Sequence, residues 1–252
     1  MPNANETGVP PFEAYLKRKS VEGVTFDLWI GDRTASDWYD LDCSDPVWLE
    51  MGFIRDHLIV PGDVVFECGG HQGCTAILMS EWVGPEGRVV TFEASPANAD
   101  ILERNVKQNG LRNVTVERMA VGSALGRVFI DGGSNASVSL SGTGREVELT
   151  CLDQYADLRP NLLKLDVEGF EVEVLRGANS ILSTHPKLAI EIHAELPRYG
   201  SSVEELLSLI DVPCYNLWVQ WDDARPPERY DGKTPIDRRV HLYGIPRESE
   251  AR

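Results

Sequence analysis

The sequence predicts a doubly wound α/β fold: a mostly parallel sheet with a C-terminal antiparallel hairpin, a small β insertion and an N-terminal segment. Three observations predict it. From Val64 onward, short apolar strands alternate with amphipathic helices through five repeats, which favours a parallel sheet that binds ligands at the carboxyl ends of its strands. The run VVFECGGHQG (Val64 to Gly73) is an apolar strand that ends in an acid and continues into a glycine-rich turn. The last two apolar runs, NLWVQW (Asn216 to Trp221) and VHLYGI (Val240 to Ile245), have no helix between them and should pair as a hairpin.

Taken in order, residues 1 to 11 read as disordered and residues 12–60 as a strand and helix segment, a possible lid over an acceptor. Gly23 to Asp32 alternates as an edge strand, with Phe26, Leu28 and Ile30 on one face. Pro46 to Ile59 has helical spacing through Val47, Met51, Ile54 and Leu58, capped by Asp45 or Ser44. Pro61 to Asp63 is a turn into the first core strand, Val64 to Glu67. A helix from Gln72 to Val83 places Cys74, Ile77, Leu78 and Trp82 together. Val89 to Glu93 is the second strand; a helix from Pro96 to Asn109 stops at Gly110. Val114 to Val121 is the third strand. Residues 124–150 break the alternation with RVFI, SVSL and REVEL, an inserted antiparallel element. Leu162 to Glu168 is the fourth strand, Glu171 to Leu182 a helix, and Lys187 to His193 the fifth strand. A short helix at Val203 to Ile210 precedes the hairpin and its Pro-rich loop, 222–238. The main domain therefore runs over 61–246, with a flexible tail at 247–252.

Composition narrows the function. In 252 residues there are 24 Lys plus Arg against 40 Asp plus Glu, a net charge of −16. That field repels a phosphate backbone, so a nucleic-acid substrate is not expected. Cys43, Cys68, Cys74, Cys151 and Cys214 form no close-ligand pair and suit reduced thiols; the N-terminus lacks a signal-peptide pattern, and no run spans a bilayer. These features predict a cytoplasmic protein with no membrane partner. The sequons at Asn113 and Asn135 are then chance matches. Oligomeric state is not encoded in any pattern of the chain.

The turn chooses between cofactors. A dinucleotide site carries close glycines, G-x-G-x-x-G, around a pyrophosphate. Here Glu67 precedes Gly69, Gly70 and Gly73, and position 71 is His. An acid there suits a cation or an amine, and S-adenosyl-L-methionine carries both. Glu93, which closes the second strand, is placed to accept from ribose hydroxyls in either cofactor class. The alternative for the glycines is a tight strand-to-helix turn and nothing more.

Further motifs lie downstream: TFEASP, NVKQN (Asn105 to Asn109), AVG (Ala120 to Gly122), KLDVEG (Lys164 to Gly169), LRGA (Leu175 to Ala178) and EIH (Glu191 to His193). With ECGGHQG they run in the order of the FkbM-type class I methyltransferases, which the chain resembles over about residues 60–195. Glu67 stands where that family usually has Asp, and Gly70 where it usually has Ala. The resemblance implies a Rossmann-like class I methyltransferase sheet and O-methylation, most often of a hydroxyl on a small metabolite or sugar. A phenol or other natural-product hydroxyl is within the same class. It implies cofactor contacts at Glu67, Gly69, Gly70, Gly73, Glu93, Ala94, Ala120 and Asp166, with Ala120 along adenine or, alternatively, plain core.

For catalysis, His193 is the candidate general base, since its ordinary pKa of ~6.5 suits proton removal near neutrality. Glu191, on the same strand face, is placed to orient it. Asp166 and Glu168 are the partners; with Lys164 they share one strand face, and their alternative role is an ion pair that orders the turn. Asp166, Glu168 and His193 together also suit a divalent metal, although their spacing does not require one. His71 caps the turn helix or touches donor or acceptor. Trp29, Trp38, Tyr39, Trp218, Trp221 and Tyr230 pack under loops or line an acceptor lid. The competing functions are an NAD-dependent oxidoreductase on the same sheet, which lacks G-x-G-x-x-G, and a non-catalytic module that binds the methyl donor.

Overall fold

The structure, a computed structural model, describes residues 11–40 and 49–247. The caps Ser44 and Asp45, the helical position Val47, the thiol of Cys43, residues 1–10 and the tail from 248 lie outside the described residues.

The central sheet has eight strands. Five run parallel: β3 (Val64–Cys68), β4 (Arg88–Phe92), β5 (Val114–Glu117), β9 (Leu162–Leu165) and β10 (Lys187–Ile192). β13 (Val240–Pro246) inserts antiparallel between β10 and β11 (Tyr215–Gln220), and β12 (Glu228–Tyr230) closes that edge. The order β12-β11-β13-β10-β9-β3-β4-β5 reverses direction between β3 and β9, which is where a crevice opens at the carboxyl ends. Alternation along the strands divides the core into two layers. Phe66, Phe92, Leu163 and Leu165 face α5 (Glu171–Arg176), α6 (Asn179–Leu182) and α7 (Val203–Leu209). Val65, Val89 and Leu162 face α3 (Cys74–Val83) and the N-terminal segment.

Several elements differ from the sequence pattern. The predicted edge strand is β2 (Val24–Ile30), but it pairs with an unforeseen β1 (Tyr15–Val21) in a separate hairpin. Its two-residue turn, Glu22-Gly23, has both φ values positive (47° and 82°), as the tightest hairpins require. A glutamate in the first of those positions conceals the turn from sequence reading. The hairpin is held by α4 (Pro96–Gln108) and its cap. Asn105 accepts from the Trp29 amide at 2.6 Å, and Asn109 accepts from the Asp27 amide at 3.0 Å. Their side-chain amides donate back to Trp29 and Asp27 carbonyls. Four-residue spacing on the helix thus matches two-residue spacing on the strand, which gives NVKQN a structural task.

The helix predicted at 46–59 is α2 (Leu49–Phe53), followed by a π-helical turn, Ile54–Leu58. The third strand splits: β5 stays in the main sheet, while β6 (Ala120–Val121) leaves it to join β8 (Arg145–Thr150) and β7 (Gly126–Ile130). Of SVSL, only Val138 bridges, to Ile130. The helix expected over 171–182 breaks at Gly177, where a Cβ would lie 2.1 Å from the Gly122 carbonyl oxygen. Leu152–Leu158 forms a 3-10 helix with no sequence forecast. Arg247, expected in the flexible tail, donates to the carbonyls of Cys214 and Tyr215.

Candidate active site

A cleft of about 660 Å³ lies at the carboxyl ends of β3, β4, β9 and β10, under α1 (Arg33–Tyr39) and the insertion. Its floor is the glycine turn. The amides of Gly69 and Gly70 both donate to the Phe92 carbonyl, at 2.9 and 3.1 Å, and the Gly73 amide donates to Gly70 at 2.8 Å. Gly69 has φ +91°, and a Cβ there would fall 1.8 Å from the Asp166 carbonyl oxygen. At Gly70 a Cβ would meet Thr91 Oγ1 at 2.1 Å. These glycines therefore let β3, β4 and β9 approach one another, and of the three only Gly69 lines the cleft.

Glu67 lies beneath the turn and outside the cleft wall. It is fully buried, accepting from Thr75 Oγ1 and, at 2.8 Å, from Thr91 Oγ1. Burial raises its pKa, opposed by the nearby Lys164 ammonium and the two hydroxyls. The expectation of direct donor contact gives way to a supporting role, because strand direction turns this side chain under the glycines.

Glu93 is the acid that faces the cleft. Each oxygen accepts one backbone amide at 2.7 Å, from His71 and from Ser95, and the Asn98 side chain is a third donor to the carboxylate. Burial lifts its pKa to about 7 against those two amides and the Asn98 side chain. Ala94 and Ala120 line the same end with Phe92, Met119 and Val121.

At the other end, charged groups converge. Lys164, with a side chain 3% exposed, lies 3.6 Å from Asp166 and 3.9 Å from Glu50. Burial alone would lower its pKa, but Asp166, Glu50, Glu67 and Glu191 hold it above its ordinary value. His193 Nδ1 hydrogen-bonds Glu171 Oε1 at 2.8 Å, and Glu171 is fully buried. Around His193 Nε2 stand Glu191 at 3.4 Å, Glu168 at 3.6 Å and Asp166 at 3.8 Å. Burial favours the neutral ring, yet Glu171, Glu191 and Asp166 outweigh it and raise its pKa to about 9. The surrounding carboxylates therefore favour the protonated ring over the free base expected from its ordinary pKa. Burial, with the charges of Asp166 and Glu191, raises Glu168 to about 7. Glu168 sits at φ +54°, in the left-handed region that a non-glycine residue rarely adopts. Burial and Glu191 also raise Asp166, against Lys164 and His193.

The roof is a hydrogen-bond chain. Tyr39 OH meets His71 Nδ1 at 2.8 Å, His71 Nε2 meets Ser134 Oγ at 2.9 Å, and Ser134 donates to Asp32 at 2.8 Å. It joins α1, the glycine turn and the insertion in one network. Burial lowers His71 to about 4, so the ring in this chain is neutral. Of the aromatics singled out in the sequence, Trp38 and Tyr39 line the cleft. Trp29 packs under Arg104, Trp218 under Arg229, Trp221 donates to Glu228 and Tyr230 to Thr234.

Sequence reasoning missed Glu171, Glu50, Ser134, Asp223 and Arg239, all of which belong to the cleft wall or its support. Arg239 bonds Glu191 through Nε and Asp223 at 2.8 Å, from a loop with no periodic signal. Glu171 alone carried a trace, as the acid two residues beyond KLDVEG.

Residues 67–216 match the family described as the methyltransferase FkbM domain, well over half of the chain. A protein-L-isoaspartate O-methyltransferase of Ignicoccus hospitalis is 32% identical over 117 residues, covering 41% of this chain and 55% of that protein. A hexuronic acid methyltransferase of Haloferax volcanii is 27% identical over 140 residues, covering 52% of this chain and 56% of that protein. The chain thus spans about half the length of these curated relatives. Among solved structures, an FkbM methyltransferase from Methylobacillus flagellatus aligns over 81% of this chain and 51% of that one, at 21% identity and TM-score 0.52. A putative rRNA-methylase from Clostridium thermocellum aligns over 83% of this chain and all of that one, at 13% identity and TM-score 0.51. Both share the fold.

Proposed function

The chain belongs to the FkbM methyltransferase family, and we propose that it methylates a hydroxyl of a small, polyhydroxylated acceptor with S-adenosylmethionine as donor. The observation that carries this reading is the meeting, in one cleft, of the Glu93 pocket with the Asp166–Glu168–His193 cluster. A hydroxyl needs a proton acceptor at the moment of attack, and this cluster supplies carboxylates beside the site of transfer.

The residues fit the donor. Glu93 faces the cleft as an acceptor for the ribose hydroxyls, and Ala94, Met119 and Ala120 offer an apolar bed for adenine. The volume lies within the ~300–1,000 Å³ usual for ligand clefts. The donor brings an electrophilic methyl on a sulfonium, which leaves as a neutral thioether. A wall rich in carboxylates suits that cation. It suits a pyrophosphate poorly, and the amides of Gly69 and Gly70, already bonded to Phe92, are not free to cradle one.

Glu168, its side chain 26% exposed and 3.6 Å from His193, accepts the acceptor's proton. His193, fixed by Glu171, orients the hydroxyl, and Lys164 holds Asp166 in place. Trp38 and Tyr39 close the acceptor end with a surface on which a sugar ring stacks. The hexuronic acid methyltransferase relative supports a sugar acceptor, and the isoaspartate O-methyltransferase relatives support oxygen as the methylated atom.

Methyl-labelled S-adenosylmethionine incubated with a panel of sugars and phenols tests the reading. Label is expected on an unblocked hydroxyl and absent when that hydroxyl is already an ether. Label found only on amines would reject O-methylation.

A further inference from the structure

We propose that Asp166, Glu191 and His193 bind a divalent cation of the Mn²⁺ class. Three features of the geometry point to it.

First, one ligand atom from each of the three residues lies within 4.8 Å of the others. The individual gaps from His193 Nε2 are 3.4 Å to Glu191 Oε1 and 3.8 Å to Asp166 Oδ1. These are too long for charge-assisted hydrogen bonds, which close to roughly 2.7–2.9 Å. They approach the separation of two ligands on one ion, since metal bonds of about 2.0–2.2 Å place neighbouring ligand atoms roughly 3 to 3.5 Å apart.

Second, the imidazole is presented as a ligand. Its Nδ1 is tied to Glu171 Oε1 at 2.8 Å, and the same oxygen accepts from the Gly169 amide at 3.0 Å. A fully buried carboxylate on the far ring nitrogen fixes the tautomer and aims Nε2 at the two carboxylates. A metal-bound histidine ordinarily has this outer partner. His193 is 7% exposed, and its Nε2 makes no hydrogen bond among the described residues.

Third, charge and access agree. Two carboxylates balance a dication, whose binding displaces the Nε2 proton of His193 to solvent. Lys164 lies on Asp166 Oδ2, the oxygen turned away from His193, while Arg239 Nε shares Glu191 Oε1 with the ring and would have to yield that oxygen or leave the ion to Oε2. Asp166 is 32% exposed at its side chain, so the ion would keep open positions toward the cleft. One nitrogen with two carboxylate oxygens disfavours Ca²⁺, which takes oxygen alone, and suits a borderline dication such as Mn²⁺ that accepts both imidazole and carboxylate. The ligand set differs from the Asp166, Glu168 and His193 trio expected from sequence. Glu191 replaces Glu168, which remains beside the site and free to take a proton.

The role, unlike the site, rests on the methyl-transfer reading: the ion would orient the acceptor oxygen and lower its pKa next to Glu168. The test needs no donor. Chelator-treated full-length protein is titrated with Mn²⁺ and the free-ion paramagnetic signal is followed. One Mn²⁺ per chain is expected, at least tenfold weaker in His193→Asn and in Glu191→Gln, with a melting temperature that rises with Mn²⁺ in the wild type only. Circular dichroism spectra that match the wild type show that the variants are folded. No Mn²⁺ binding by the wild type up to millimolar concentration overturns the proposal, as does equal binding by all three proteins. Loss of S-adenosylmethionine binding by the wild type would instead overturn the methyltransferase reading and leave the metal result standing.

Discussion

Lys164 is the residue on which the rest of the cleft depends. Glu50, Glu67, Asp166 and Glu191 all act on this one buried ammonium. Removing one partner of a buried charge group leaves the others uncompensated, at a cost of ~3–5 kcal/mol. Lys164→Met is therefore expected to lower the melting temperature by roughly 6–20 °C, as calorimetry would show. Glu168→Gln keeps the side chain's shape and removes the proton acceptor proposed above. Turnover should fall about 10²–10⁴-fold while S-adenosylmethionine affinity stays within twofold. Equal losses in both would reject the role. At this scale the sequence showed which acids end strands, so Glu93, Asp166, Glu168 and His193 were legible. It did not show direction. Glu67 and Glu93 each come at the end of a neighbouring strand, yet one is turned under the glycines and the other into the cleft. Glu171 and Arg239 act across distance in the chain, and no local pattern announces a partner 22 or 48 residues away.

Elements show the same division between local signal and long-range packing. The five parallel strands and their helices were legible because each carries its own apolar period. What was lost is decided by neighbours: β1 by an unusual hairpin turn, the split of β5 and β6 by the pull of β8, and the break after α5 by contact with Gly122. The glycine turn belongs here as well. Its residues were read as a cradle for the donor, whereas Gly69 and Gly70 answer first to Asp166 and Thr91. Gly69→Ala must either shift β9 or distort a backbone at φ +91°. The expected cost is at least ~2 kcal/mol, read as a melting temperature lower by about 4–8 °C. An unchanged melting temperature would show that β3 and β9 do not meet there. Ser134→Ala breaks the only side-chain link among the described residues that joins Asp32 to His71. If the roof covers the acceptor end as proposed, the variant should raise the acceptor KM severalfold with a smaller effect on kcat.

Across the whole molecule, titration links the roof to the floor. Burial raises Glu93 to about 7 and lowers His71 to about 4, and the His71 amide donates to Glu93. The raised carboxyl contributes stability that is present at low pH and lost as pH rises through about 7. The depressed imidazole contributes stability that is present at neutral pH and lost as pH falls toward about 4. Between pH ~4.5 and ~6.5 the two slopes oppose each other. Relative to the wild type, Glu93→Gln should therefore gain stability as pH rises across that window, and His71→Gln should lose it. Melting temperatures from pH 4.5 to 7 check the opposite signs; parallel curves for the three proteins would contradict them. The net charge of −16 is visible in the sequence, but its meaning is local: carboxylates crowd the cleft, as the proposed cationic donor requires.

The central claim is that this cleft holds S-adenosylmethionine against Glu93, and calorimetric titration of the donor tests it most directly. The wild type should bind one S-adenosylmethionine per chain, Glu93→Ala at least tenfold more weakly, and NAD should give no heat with either. Binding of NAD without S-adenosylmethionine, or equal S-adenosylmethionine affinity in wild type and Glu93→Ala, would contradict the account.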